Sequence, residues 1–292
     1  MKIVCQCRFG CLDQPDVAVA LHGLWHPVRM ALRFHLLEQF LLPSLRAQSD
    51  GAFIFVLLTS AEMPEPYHDR LARVTAGIAQ LRLLRAQAGE MTAALAPLMA
   101  EVSLGFTAPS VHLHVAEDMA LAVDHIARLR GASGRVDPGG MISFPAGVLG
   151  FVDGAVARQC AYRQPSSIIV APAQPQRQHA APPSPDYAAS VACYTDPMFP
   201  AFHTVLHSGL PVPGYEDLFP KDGSQRRRIL KSVQQNPELA AGGVVTAEAA
   251  AALAQAFGYT SGDALRDAVR RTADPVSLAA EMGFPLQPLA RA

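Results

Sequence analysis

Two adjacent carboxylates, Glu117 and Asp118, follow a predicted strand in the run Leu113-His114-Val115-Ala116-Glu117-Asp118-Met119. Carboxylate oxygens suit a hard divalent cation such as Mg²⁺ or Mn²⁺, with ligand oxygens and water completing the shell. The same pair also fits the start of a helix, where the dipole and free amides favour negative charge without any metal. His112 and His114 alternate on one strand face, but no acidic partner motif follows them to complete a hydrolase site. Cys7 and Cys11 have a spacing that zinc sites use, yet no second Cys or His pair completes a tetrahedron. Buried thiols on and after a first strand are the simpler reading. Arg226-Arg227-Arg228, with Lys221 and Lys231, is the densest basic cluster. Its guanidinium forks match phosphate oxygens, which makes Arg226 and Arg227 candidate diphosphate ligands; a solvated helix face is the alternative.

The elements that must position these groups alternate through the first half. Residues 2–8 read as a short buried strand and 52–58, 80–84 and 111–115 as further strands; the continuous apolar run of 52–58 suits a parallel strand covered on both faces. Helical spacing covers 27–48, 66–76, 90–102 and 118–129, with Pro43 expected to kink or break the first of these. A βαβαβαβα order implies a parallel sheet wrapped by helices, with its ligand at the carboxyl edge of the strands. After Gly140 the pattern changes. Residues 141–152 and 155–162 flank Asp153-Gly154, a hairpin signal, and 167–170 reads as a further strand. Residues 171–185 are rich in Pro, Gln and Ala and lack periodicity, which suggests a loop or lid. Helical patterns return at 199–208, 225–234, 246–257 and 264–271. The glycines of 131–140 follow a helix instead of opening one, so they form no phosphate fingerprint.

Three stretches carry a resemblance: Cys7-Arg8-Phe9; Phe40-Leu41-Leu42-Pro43-Ser44-Leu45-Arg46-Ala47-Gln48, followed by an apolar strand and Pro64-Glu65-Pro66-Tyr67; and Ala120 to Leu129. They resemble the rhamnosyltransferase family of GT-A-like enzymes across most of the first half of the chain. The resemblance implies an α/β, GT-A-like (nucleotide-diphospho-sugar transferase) fold. That fold is a mostly parallel sheet flanked by helices, with a hairpin-containing second half and C-terminal helices. It further implies a nucleotide-sugar donor and a glycan or other hydroxyl acceptor. Arg8, Glu117 and Asp118 would then bind the donor, and a metal on Asp118 and Glu117 would neutralise the leaving diphosphate. The family has a run of aspartates where this chain has Ala116 and Met119, so the motif is eroded and metal-independent transfer is the other possibility. A base for the acceptor hydroxyl would be a carboxylate or His, and the candidates are Asp153, Asp186, Asp196, His203 and His207. Asp153 also reads as a turn residue, while His203 and His207 share one face of the predicted 199–208 helix. A rival reading keeps the fold without the chemistry, as a binding or interaction module.

Bulk composition narrows the classes. The chain has 292 residues, is 50% hydrophobic and 17% charged, and has a net charge of −1, enough apolar content for a large core. It lacks the basic excess of a nucleic-acid binder. It has no run of about 18 apolar residues and no secretory leader pattern, and its five cysteines are an odd count for a disulfide framework. A reduced cytoplasmic enzyme is expected. The predicted organisation is a transferase domain over 1–235, with a donor half (1–130) and an acceptor half (131–235), then a helical extension over 236–292.

Overall fold

In a computed structural model, which describes residues 1–11, 23–105, 107–151, 156–160, 166–170, 191–196, 198–199, 201–206, 215 and 247–286, the apolar runs of the first half lie side by side. The strands β1 (Lys2–Arg8), β2 (Ile54–Ser60), β3 (Leu81–Ala86) and β4 (Ser110–His114) pair in parallel, with Val4 opposite both Ile54 and His112. Alternation along β1 divides its side chains between two layers. Ile3, Cys5 and Cys7 enter the main core, while Val4 packs with Val56, Leu58, Met91, Leu95 and Met99 in a second cluster.

The second half is woven into two sheets. Its elements are β5 (Met119–Leu121), β6 (Met141–Ser143), β7 (Ala146–Phe151), β8 (Val156–Cys160), β9 (Ser166–Val170), β10 (Cys193–Thr195) and β11 (Phe202–Leu206). One sheet has the order β10-β6-β9-β4-β1-β2-β3, with β9 antiparallel to both neighbours; the other is β5-β11-β7-β8. The expected hairpin is present as β7 paired with β8, Gly150 opposite Val156. The 141–152 run is nonetheless two strands in different sheets. The break falls at Phe144-Pro145, where proline supplies no N–H for a ladder.

Two predicted helices need correction. The 118–129 segment begins as β5 and becomes helical only at α5 (His125–Ser133), because Met119, Ala120 and Leu121 pair antiparallel with β11. The 199–208 segment holds β11, whose run Phe202-His203-Thr204-Val205 sits between β5 and β7. Short apolar runs are ambiguous between helix and strand, and here pairing with distant strands decided the outcome.

The first helical pattern survives its proline. α1 (Pro27–Leu36) passes through a π-helical turn, Leu37–Leu41, into α2 (Leu42–Arg46). The Leu42 N–H reaches back to the carbonyl of Leu37, a wider turn that takes up the bond and the space Pro43 would disturb. The remaining helices are α3 (Glu65–Thr75), α4 (Met91–Val102), α6 (Ala247–Phe257), α7 (Gly262–Arg271) and α8 (Pro275–Glu281). The last three pack on α1 and α2. His35 Nε2–H donates to the Ala268 carbonyl at 2.8 Å, Phe34 and Phe284 lie 5.9 Å apart, and a side-chain carbon on Gly258 would stand 2.2 Å from Ala47 Cβ. Residues of these helices, including Phe257, Leu265, Leu278 and Phe284, belong to the main core. Among the described residues no helix is long and apolar enough to cross a membrane.

Candidate functional site

The carboxyl ends of β1, β2 and β4 lie on one edge of the large sheet, and the helix after β1 begins near that edge. Parallel strands joined by right-handed crossovers produce this arrangement. The expected donor residues meet there. The Arg33 guanidinium of α1 donates to Glu117 through Nε at 2.5 Å and to the carbonyl of Arg8 through Nη2 at 3.1 Å, and it lies 4.9 Å from the Phe9 ring. Arg33 and Glu117 are each 16% exposed. Asp118 is half-buried beside this pair, and its carbonyl accepts the Val205 N–H. Ala116 is exposed, so the loop leaving β4 borders solvent.

Charge in this corner is unbalanced toward the cation. Arg29, one helical turn before Arg33, is half-buried and within electrostatic reach of both Arg33 and Glu117. Burial and the Arg33 charge pull its guanidinium below the usual arginine range, opposed by Glu117. Arg33 is held above that range, because Glu117 outweighs its burial. The neighbouring thiols behave as buried groups: burial pushes Cys5 up to about 12, and burial with the Glu117 charge pushes Cys7 well up.

The loop's position is set by the Leu-Pro-Ser-Leu-x-x-Gln stretch. Ser44 Oγ donates to the Leu41 carbonyl at 2.8 Å and accepts the Leu121 N–H at 3.1 Å. Gln48 Nε2 donates to the Ala122 carbonyl at 2.8 Å and to the Ser44 carbonyl at 2.9 Å, while its Oε1 accepts the Ile126 N–H at 3.1 Å. These two polar side chains stand in for a secondary-structure partner along 121–126, where the backbone turns from strand to helix. Sequence reading quoted both residues without their role, and it singled out neither Arg29 nor Arg33. The available signal was the i, i+4 spacing of two arginines on a helix that starts at the carboxyl edge.

Other candidates separate from this corner. His203 lies on β11, not on a helix, and is 1% exposed; its Nδ1 and the Tyr259 hydroxyl are 2.7 Å apart, and a side-chain carbon on Gly150 would come within 2.7 Å of its Nε2. Burial pulls it down to about 4. His112 is 1% exposed between Gln6 and Ser110, whose polar atoms lie 3.3 and 2.8 Å from its two ring nitrogens. Asp196 leaves β10 at the carboxyl edge, four strands from β1, and accepts the Met198 N–H at 3.1 Å. Asp153, Asp186, His207, Lys221, Arg226, Arg227, Arg228 and Lys231 lie outside the described residues. Among the described residues, no group of three or more His, Cys, Asp or Glu could hold a metal ion. A cavity of about 420 Å³ lies at the opposite, amino edge, near Met1, Lys2, Ala52 and Pro109. Arg130 there is committed to Asp50 and to the Met1 and Ala52 carbonyls.

A family model described as "Putative rhamnosyl transferase" matches residues 2–180, more than half of the chain. Among curated proteins none matches. Of solved structures, S. aureus TarS 1–349 in complex with UDP-GlcNAc aligns at 10% identity over 98% of this chain and 93% of that one, with a TM-score of 0.42. The same TarS fragment with UDP gives 10% identity, 94% and 90% coverage, and a TM-score of 0.39. A 4-diphosphocytidyl-2C-methyl-D-erythritol synthase gives 13%, 80%, 96% and 0.36 in the same order. Likeness this loose fixes no residue correspondence.

Proposed function

The chain belongs to the rhamnosyl transferase family, and on that premise we propose that it transfers a sugar from a nucleotide-diphosphate donor to a glycan or other hydroxyl acceptor. Rhamnose is the sugar the family description favours. The supporting observation is the meeting of Arg8, Arg33, Glu117 and Asp118 at the carboxyl edge, where open α/β sheets take nucleotides. As the glycosidic bond breaks, negative charge grows on the departing diphosphate, and fixed cations aimed at it lower the barrier. Among the described base candidates, Asp196 is a carboxylate at the same edge, suited to take the acceptor proton. Buried His203 is a packing residue in this scheme.

A divalent cation fits the described residues poorly. Glu117 already carries the Arg33 guanidinium, and a metal beside it would meet the charges of Arg29 and Arg33. A cytoplasmic location belongs to the same proposal, since the free thiols Cys5, Cys7, Cys11 and Cys193 suit a reducing compartment.

The test is release of nucleoside diphosphate from a panel of UDP-, GDP-, ADP- and dTDP-sugars incubated with purified protein and candidate glycan acceptors. Release with one donor, stimulated by acceptor, is the expected result. Absence of binding to every nucleotide by calorimetry would overturn the enzyme reading. Tight binding without any turnover would identify a binding module that keeps the fold.

A further inference from the structure

We infer that Arg29 is the counter-charge for the donor diphosphate, with Arg33 fixed beside it by Glu117, so that nucleotide binds without a divalent cation. This rests on the transferase reading and adds to it the residue and the kind of charge that receive the diphosphate.

The inference starts from an imbalance. Two guanidiniums one turn apart share a single carboxylate: Arg33 takes Glu117, while Arg29 has no hydrogen bond or ion pair among the described residues. Partial burial of an unpaired cation is unfavourable, and a like charge at i, i+4 makes it worse. Arg29 is also the third residue of α1, whose first turn carries no acid; a helix start disfavours a cation and favours an anion. Each cost disappears when an anion with several oxygens binds there. A diphosphate is such an anion, its oxygens match a guanidinium fork, and the sheet edge is where one would lie. Glu117 is thereby a positioning residue, since it holds Arg33 at Arg8 and leaves Arg29 open to ligand. Arg8 and Asp118 have other contacts, and their roles do not enter the inference.

The consequence is unusual for a charged side chain. Removing Arg29 should not destabilise the ligand-free protein, and relief of repulsion at Arg33 should hold its melting temperature level or raise it slightly. The same change should weaken nucleotide binding. The experiment titrates UDP, GDP and dTDP, and separately inorganic pyrophosphate, into the full chain in EDTA and in Mn²⁺. Wild type is compared with Arg29→Ala, Arg29→Gln and the distant control Arg46→Ala. Expected is binding of at least one nucleoside diphosphate in EDTA, weakened about tenfold to a hundredfold by either Arg29 change, as for loss of hydrogen bonds to a charged group. Arg46→Ala should bind like wild type. Equal affinity in wild type and both Arg29 variants overturns the inference. So does wild-type binding that requires Mn²⁺, an outcome that leaves the transferase reading standing. If no nucleoside diphosphate binds under either condition, the inference falls together with that reading.

Discussion

Acidification from pH 7 to pH 5 should destabilise this protein through two histidines. His125 and His203 are buried, and burial pulls each from 6.5 to about 4 in the folded chain. His125 donates through Nδ1 to the Ala201 carbonyl at 3.2 Å, and its Nε2 is enclosed without a partner near Phe144 and Phe199. His203 is enclosed by Phe40, Phe257 and Tyr259. Below the unfolded value, the unfolded chain binds a proton that the native ring refuses, so stability falls as pH falls, down to the folded value. Each ring can remove at most about 3.4 kcal/mol across that window, and about 1.8 kcal/mol between pH 7 and pH 5. The two together remove roughly 3.7 kcal/mol, a large part of a typical folding free energy. Burial shifts His35 and His68 in the same direction. The assay is urea unfolding at pH 7, 6 and 5 for wild type, His125→Asn, His203→Asn and the double variant. The informative quantity is the loss on acidification, because either change also lowers stability at pH 7. Each single variant should lose about 1.8 kcal/mol less than wild type over this range. An unchanged loss in His203→Asn would mean that the ring titrates as if in water. It would then be accessible, the burial reasoning would fail, and His203 would return as a candidate base.

Gln48→Ala removes two hydrogen bonds to 121–126 and one to the Ser44 carbonyl, and leaves the Ile126 N–H unpaired. It should cost roughly 2–4 kcal/mol in urea unfolding, and it should weaken nucleotide binding even though Gln48 is not expected to touch the ligand. Glu117→Gln leaves Arg33 partly buried without its counter-ion and should destabilise by about 1–3 kcal/mol. Adding Arg33→Met should recover much of that loss, and a double-mutant cycle reads the coupling. Phe284→Ala empties the contact with Phe34, Tyr67 and the Arg70 guanidinium. A loss near 3 kcal/mol is expected by thermal or urea unfolding, while an effect below about 1 kcal/mol would show that the C-terminal helices are loosely attached.

Of the first four strands, β2 was the most legible, because it is buried on both faces and so writes a nearly unbroken apolar run into the chain, whereas the edge strand β3 carries the exposed Arg82 and Arg85. β5 and β11 were not legible, since Ala120-Leu121 and Phe202-Val205 are too short to show a period and take their conformation from each other across about 80 positions. The acidic pair and Arg8 could be located because topology alone sends strand ends to a common edge. Arg29 and Arg33 escaped notice because charges at helical spacing ordinarily face water, and only the fold reveals that this face meets Glu117. Ser44 and Gln48 were visible as a pattern, but their bonds to residues 74 to 78 positions away carry no local signal.

The polar stretch and the arginine pair belong to one device. Arg33, near the start of the long helix, holds Glu117 at one end of the acidic segment, and Ser44 and Gln48, near its finish, hold Leu121, Ala122 and Ile126 at the other. Between them lies the π turn Leu37–Leu41, whose extra residue rotates one end against the other by about 100° relative to an unbroken α-helix. The helix continues past Pro43 through this wide turn, so a proline that looked like a helix breaker leaves both grips on one continuous element. The C-terminal helices pack on this same helix at Phe34, His35 and Ala47. They therefore stiffen the element that aims Arg29 at the sheet edge, although the family match ends at residue 180, well before them.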